Sequence, residues 1–261
     1  MVGIKKIVFA AVSMVFLSCG GPAVPATNPS IVVQTPAVEC IVEASETTVQ
    51  TSQSRRMRRV ADRSRNAAVQ VYAPDMSVRG SGTYFSMGDH LVVVTAAHVV
   101  RDMPFMIIVA QDGEQSMAIT AYVQSEGSQD MAVLLLPSPL ESRTAIEFEA
   151  LQDHSSLIGQ SLVYTGFPGH HDLLTIFGLA AGIEHGNIIM QSYAWPGASG
   201  SAIFDDRGRV VGILRAIDVN QGFIGPQLTE DIVWLHPVND LELTKVIKFL
   251  DVYEILIEEA E

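Results

Sequence analysis

From Asn66 onward the chain is written in short apolar runs, each closed by Gly, Pro, Asp or Ser. Ala68 to Tyr72, Thr83 to Phe85, Leu91 to Thr95, Phe105 to Ala110, Met117 to Val123, Met131 to Leu136 and Leu162 to Thr165 are of this kind. Ile188 to Gln191, Ser201 to Phe204 and Val210 to Ala216 follow, the last two joined by the hairpin-turn sequence Asp205-Asp206-Arg207-Gly208. Runs of strand length bounded by turn residues leave no room for amphipathic helices, and they predict an all-β sandwich or barrel. Only Val238 to about Leu250 has helical spacing, through Leu241, Val246, Ile247 and Leu250.

The chain has two cysteines, Cys19 and Cys40, both ahead of this body, so the body must be held by its core and not by disulfides. The 261 residues carry a formal net charge of −13, which argues against nucleic-acid binding. The charge is uneven. Six arginines lie between Arg55 and Arg65, whereas from Asn66 on there are 8 basic and 25 acidic residues, a net of −17.

Lys5 and Lys6 precede an 11-residue apolar run, Ile7 to Leu17. This is shorter than the ~20 residues of a membrane span and reads as a secretory signal. It ends at Phe16-Leu17-Ser18-Cys19-Gly20, which resembles a bacterial lipobox, so residues 1–19 are read as a signal peptide with Cys19 as the lipidated residue. An ordinary signal peptide cut nearby and an uncleaved anchor are the alternatives. Residues 20–65 hold four prolines before an Arg-rich end and read as a flexible linker, with a reach of about 40 Å from Cys19 to Asn66. The arginines at its end read as a solvated connector, a processing site or a contact with anionic lipid. Residues 66–261 are the globular domain.

Three segments of that domain carry chemistry. Val94-Thr95-Ala96-Ala97-His98 places an imidazole after an apolar strand, where it can act as a general base. Asp130 opens the apolar run from Met131, a position that burial penalises unless a partner holds the carboxylate. Trp195-Pro196-Gly197-Ala198-Ser199-Gly200-Ser201 sets a serine in a glycine-flanked turn that can aim the Gly197 and Ser199 N–H groups at one oxyanion. The order His, Asp, Ser and the surrounding β-structure exclude a nucleophile elbow of the α/β-hydrolase type.

These segments, together with Gly80-Ser81-Gly82, Gly166-Phe167-Pro168-Gly169, Val211-Gly212-Ile213 and His236-Pro237-Val238-Asn239, resemble the trypsin-like serine proteases of the chymotrypsin fold. The closest resemblance is to their Deg/HtrA-like branch, here without a PDZ domain. It implies two six-stranded antiparallel β-barrels with a C-terminal helix, and a serine endopeptidase acting on protein or peptide substrates without metal or other cofactor. By that resemblance His98, Asp130 and Ser199 form the catalytic triad, Gly197 and Ser199 the oxyanion hole, and Leu214, Arg215 and Ala216 the strand on which substrate pairs. Tyr193, six residues before Ser199, is placed at the base of the primary pocket, where it disfavours basic side chains; structural packing of Tyr193 with Trp195 is the alternative. Small or medium apolar side chains are expected, with Arg215 a reason to consider acidic ones.

Two departures from the family pattern raise an alternative, a catalytically weak or inactive protease-fold lipoprotein that binds peptides or a partner at the cell envelope. Ser201 stands where a glycine is usual, and Leu214 where a Ser or Asn supports the catalytic aspartate. An esterase with the same nucleophile is a third reading. No apolar Ile-Val start opens the body at Asn66, so activity is expected not to need insertion of a new N-terminus. The expected location is exported, in a bacterial cell envelope and lipid-anchored to a membrane.

Overall fold

Strand pairing in the computed structural model closes two separate rings of six antiparallel strands. The structure describes residues 44–125, 129–169, 171–222 and 225–258. The signal segment, Cys19, Cys40, the first part of the linker and His170 lie outside them.

The first barrel comprises β1 (Ala68–Tyr72), β2 (Arg79–Met87), β3 (His90–Thr95), β4 (Phe105–Val109), β5 (Gln115–Gln124) and β6 (Met131–Leu135). They pair in the order β1-β4-β5-β6-β3-β2, and β2 returns to β1 to close the ring. A two-residue strand, β7 (Ile146–Glu147), adds in parallel to β2. The second barrel comprises β8 (Ser161–Gly166), β9 (Leu174–Glu184), β10 (Asn187–Gln191), β11 (Ala202–Phe204), β12 (Val210–Gly222) and β13 (Gly225–Pro237), closed in the order β10-β13-β12-β11-β8-β9. Closure leaves no long strand edge within either ring.

Two of the apolar runs read from the sequence, Leu91 to Thr95 and Met131 to Leu136, are strands buried on both faces. Every residue of β6 is buried, as are Val92, Val93 and Val94 of β3, because one face fills the barrel and the other is covered by neighbouring elements. One apolar cluster joins the first barrel to Val163, Ala202, Phe204, Val210 and Ile213 of the second, with the Phe85 and Phe204 rings 6.2 Å apart. A second cluster, including Leu162, Tyr164, Ile188, Val211 and Leu235, fills the second barrel. A helix, α3 (Leu243–Glu258), follows a 3₁₀ turn at 238–240 and sends Val246 and Leu250 into the first cluster. It is anchored further by His90, whose Nε2 is 2.9 Å from Asp251 Oδ1.

Ahead of the barrels the linker reading has to be corrected. Residues Ala44–Ala67 form a helix, α1. Met57, Val60, Ala61 and Ser64 are buried at the spacing that puts them on one face, and Met57, Val60 and Ala61 join the larger apolar cluster. The helix packs on β8, β2 and β7. Its end is tied down as well, since Arg65 donates to Thr175 Oγ1 at 2.9 Å. The domain thus begins about twenty residues before Asn66, and the arginines sit on a docked helix, not in a solvated coil.

Candidate active site

Strand β3 ends at Thr95 and the chain turns into a single helical turn, α2 (Ala97–Val100), which holds His98 at the seam between the barrels. Asp130 stands just before β6, next in the sheet to β3. Its carboxylate takes two hydrogen bonds from one residue: His98 N donates to Oδ1 at 2.9 Å, and His98 Nδ1 lies 2.7 Å from Oδ2. Paired grip of this kind fixes both the position of the ring and its rotation. With a carboxylate at Nδ1, that nitrogen carries the proton and Nε2 is left as the acceptor. Asp130 is buried, whereas the His98 ring is half exposed, so the ring presents its free edge outward.

Burial pushes the Asp130 carboxyl up, but the hydrogen bonds and charge of His98, with the guanidinium of Arg215, hold it below its usual value. Arg215 Nε is 3.8 Å from Asp130 Oδ2, and Arg215 Nη1 donates to Asn187 Oδ1 at 3.3 Å. The pairing of β12 with β13 shifts register between Leu214 and Ala216, which leaves Arg215 at a bulge. Leu214 itself is buried in the core of the second barrel and offers Asp130 nothing. As expected from Leu214, that side chain gives Asp130 no hydrogen bond, and a positive charge stands one residue later.

The serine turn is built from its proline and glycines. Ala198 N donates to Trp195 O at 3.0 Å and Gly197 has φ +100°, so Trp195-Pro196-Gly197-Ala198 is a β-turn of type II, with proline setting the first corner and glycine the second. Gly169 N donates to Pro196 O at 2.7 Å. Because this peptide is trans, its N–H at Gly197 points the opposite way. Among the described residues, neither Gly197 N–H nor Ser199 N–H donates to a protein acceptor. Two donors two residues apart are therefore available for one oxygen. Gly200, at φ +92°, completes the turn and donates to Leu214 O at 2.8 Å.

Ser81 on β2 binds this turn to the histidine, a role the sequence reading did not assign. Its N–H donates to Ser199 O at 2.8 Å and its hydroxyl to Gly197 O at 2.7 Å. Its carbonyl accepts from Thr95 Oγ1 at 2.7 Å, three residues before His98, and its hydroxyl accepts from Phe167 N at 2.9 Å. The fit is close. A Cβ at Gly80 would meet Val99 of α2 at 2.7 Å and Ser199 O at 3.1 Å, so Ser199 sits directly beside the helix of His98. Gly80-Ser81-Gly82 ahead of the histidine was the available signal, since glycines flanking a small hydroxyl residue mark a close backbone approach.

Ser201 is buried in ordinary backbone conformation, not at positive φ, so the strain anticipated for a serine there is absent. A cleft of about 940 Å³ opens beside the imidazole, with His98, Asp130, Met103, Val123, Arg215 and Ala216 in its wall. Tyr193 is not part of that wall. Its ring is 55% exposed and stacked on Trp195 with centroids 6.2 Å apart, while Tyr164 OH holds its carbonyl at 2.5 Å. Tyr193 and Trp195 together form an outer aromatic shelf. The described residues contain no cluster of three metal-ligating side chains and no helix long and apolar enough to cross a membrane.

Comparison with known families matches residues 80–213 to the trypsin-like peptidase domain, a little over half of the chain. That span contains Ser81, His98, Asp130, Gly197 and Ser199. Comparison with curated proteins gave no match.

Proposed function

The chain belongs to the trypsin-like peptidase domain family, and on that premise we propose that it is a serine endopeptidase. One observation carries the reading: Asp130 grips both the backbone N–H and the Nδ1 of His98, beside a glycine-built turn whose serine lies next to the same helix. In this mechanism His98 Nε2 takes the proton of Ser199 Oγ as that oxygen bonds to the scissile carbonyl carbon. The carbonyl electrons move to an oxyanion held by the Gly197 and Ser199 N–H groups, where losing one donor costs about 3 kcal/mol. Collapse breaks the C–N bond, and His98 gives its proton to the leaving amine. Water then repeats the sequence on the acyl-enzyme and frees Ser199. Asp130 keeps the imidazole in the productive tautomer and stabilises its charged form.

The substrate strand lies along Arg215 and Ala216, pairing by its backbone next to β12. The motif set supports the Deg/HtrA-like branch, and the leader supports an exported protein anchored through Cys19. The test is digestion of an unfolded protein with the products mapped, alongside Ser199→Ala and His98→Ala. The expected loss in kcat is on the order of 10⁴-fold or more for either variant. Cleavage undiminished in Ser199→Ala would overturn the assignment.

A further inference from the structure

We infer that the outer face of α1, extended by Arg207, docks the enzyme on an anionic lipid surface. Arg56, Arg59 and Arg63 recur at helical spacing beside the buried Met57, Val60 and Ala61. Burial of the one face therefore fixes the other outward. Arg207 joins them from the β11–β12 hairpin, and together they wall a groove of about 550 Å³ in which Asp206 is the one acid.

The hairpin is built to hold Arg207 there. Asp205, fully buried, accepts from the N–H groups of Arg207 and Arg209 at 2.9 Å each and from the Arg209 guanidinium at 2.7 and 2.8 Å. That carboxylate is consumed by Arg209, so Arg207 stays exposed. Gly208 abuts the helix, where an added Cβ would lie 3.3 Å from Arg63.

Among the described residues none of these four guanidinium groups lies within ion-pair distance of a carboxylate. This is notable in a chain with 25 acids and 8 bases from Asn66 on, where neutralising partners are plentiful. Four like charges held close on two rigid elements repel one another until an anion intervenes, and guanidinium pairs well with phosphate oxygens.

A membrane is the favoured source of that phosphate because of where the helix begins. Whatever path residues 20–43 take, Ala44 is at most about 90 Å from Cys19 along the chain. This step rests on the reading of Cys19 as a lipid anchor. The diacylglyceryl group of such an anchor keeps the domain within reach of a membrane, and the basic face then sets which side of the domain meets the headgroups.

The test uses the full chain carrying Cys19→Ser, so that no acyl group contributes, sedimented with phosphatidylcholine vesicles or with the same vesicles containing phosphatidylglycerol. Adsorption at least about tenfold stronger on the anionic vesicles, and weakened by salt, is expected. Joint replacement of Arg56, Arg59, Arg63 and Arg207 by Gln should abolish that preference, Arg207→Glu alone should reduce it, and Lys248→Gln should leave it intact. Equal adsorption on both vesicles, or a preference that survives the Arg207→Glu and fourfold changes, would overturn the proposal. So would an Arg-dependent rise in unfolding midpoint with inorganic phosphate in the absence of vesicle adsorption, which assigns the groove to a free anion. Mass analysis of Cys19 in the unaltered chain tests the anchor separately.

Discussion

Arg215 Nε lies 3.8 Å from Asp130 Oδ2, while Leu214 beside it is buried in the core of the second barrel. A charge at a bulge thus stands beside Asp130 where Leu214 supplies no hydrogen bond. The Asp130 carboxyl is held below its usual value, so its contribution to stability is complete above the ordinary carboxylate range near pH ~4 and is lost as pH falls through its lower folded value. Arg215→Gln removes one of the influences that lower it. Urea midpoints measured across acidic pH should show a smaller acid-dependent loss, complete at higher pH, in the variant, with Arg215→Lys in between. Superimposable curves would separate Arg215 from Asp130.

Ser81→Ala takes the hydroxyl from Gly197 O and leaves the Phe167 N–H buried without its acceptor. The expected cost is about 1–3 kcal/mol in urea unfolding. The same hydroxyl holds the turn that presents the Gly197 and Ser199 N–H groups, so on the proposed mechanism kcat should fall while KM changes little. A variant with lower stability but unchanged kcat would make Ser81 structural only.

Gly200→Ala is expected to be among the most damaging single changes. The position has φ +92°, and an added Cβ would run into Ser81 O and Thr95 Oγ1. Backbone strain alone costs about 1–3 kcal/mol, before the collision is relieved. Circular dichroism and urea unfolding should show a weakened or unfolded chain, whereas Gly88→Ala, at φ +62° with open space around it, should be milder.

A chain beginning at Asn66 should be markedly less stable than one retaining α1, because the helix covers the barrels with Met57, Val60 and Ala61. Met57→Ala in the full chain should itself cost about 2–5 kcal/mol. Equal unfolding midpoints for the shortened and full chains would show that the helix contributes nothing to the fold.

The legible parts of the sequence were those in which burial and pattern agree. Strands β3 and β6 are apolar throughout because both faces are covered, and β1 was read at its true bounds. By contrast β9 exposes Phe177, Leu179 and Ile183 and interrupts them with Gly178 and Gly182, so its pattern carries no inward face. β13 opens on Gly225-Pro226 and includes Glu230 and Asp231, which reads as loop. In α1 the apolar spacing of Met57, Val60 and Ala61 was present, but six arginines masked it.

At the site, His98, Asp130 and the serine turn were readable because each chemistry-bearing residue lies inside a local motif. The contributions of Ser81 and Arg215 were not, since each depends on contacts between residues far apart in the chain. The stacking of Tyr193 on Trp195 was likewise not legible in the sequence.

Reaction of the full chain with a fluorophosphonate probe, followed by mass spectrometry of the adduct, tests most directly whether Ser199 is activated by His98 and Asp130. The account predicts a single adduct on Ser199 that disappears in His98→Ala and is strongly slowed in Asp130→Asn, with both variants folded by circular dichroism. A folded wild-type chain that stays unlabelled, or labelling of Ser199 that persists without His98, would contradict it.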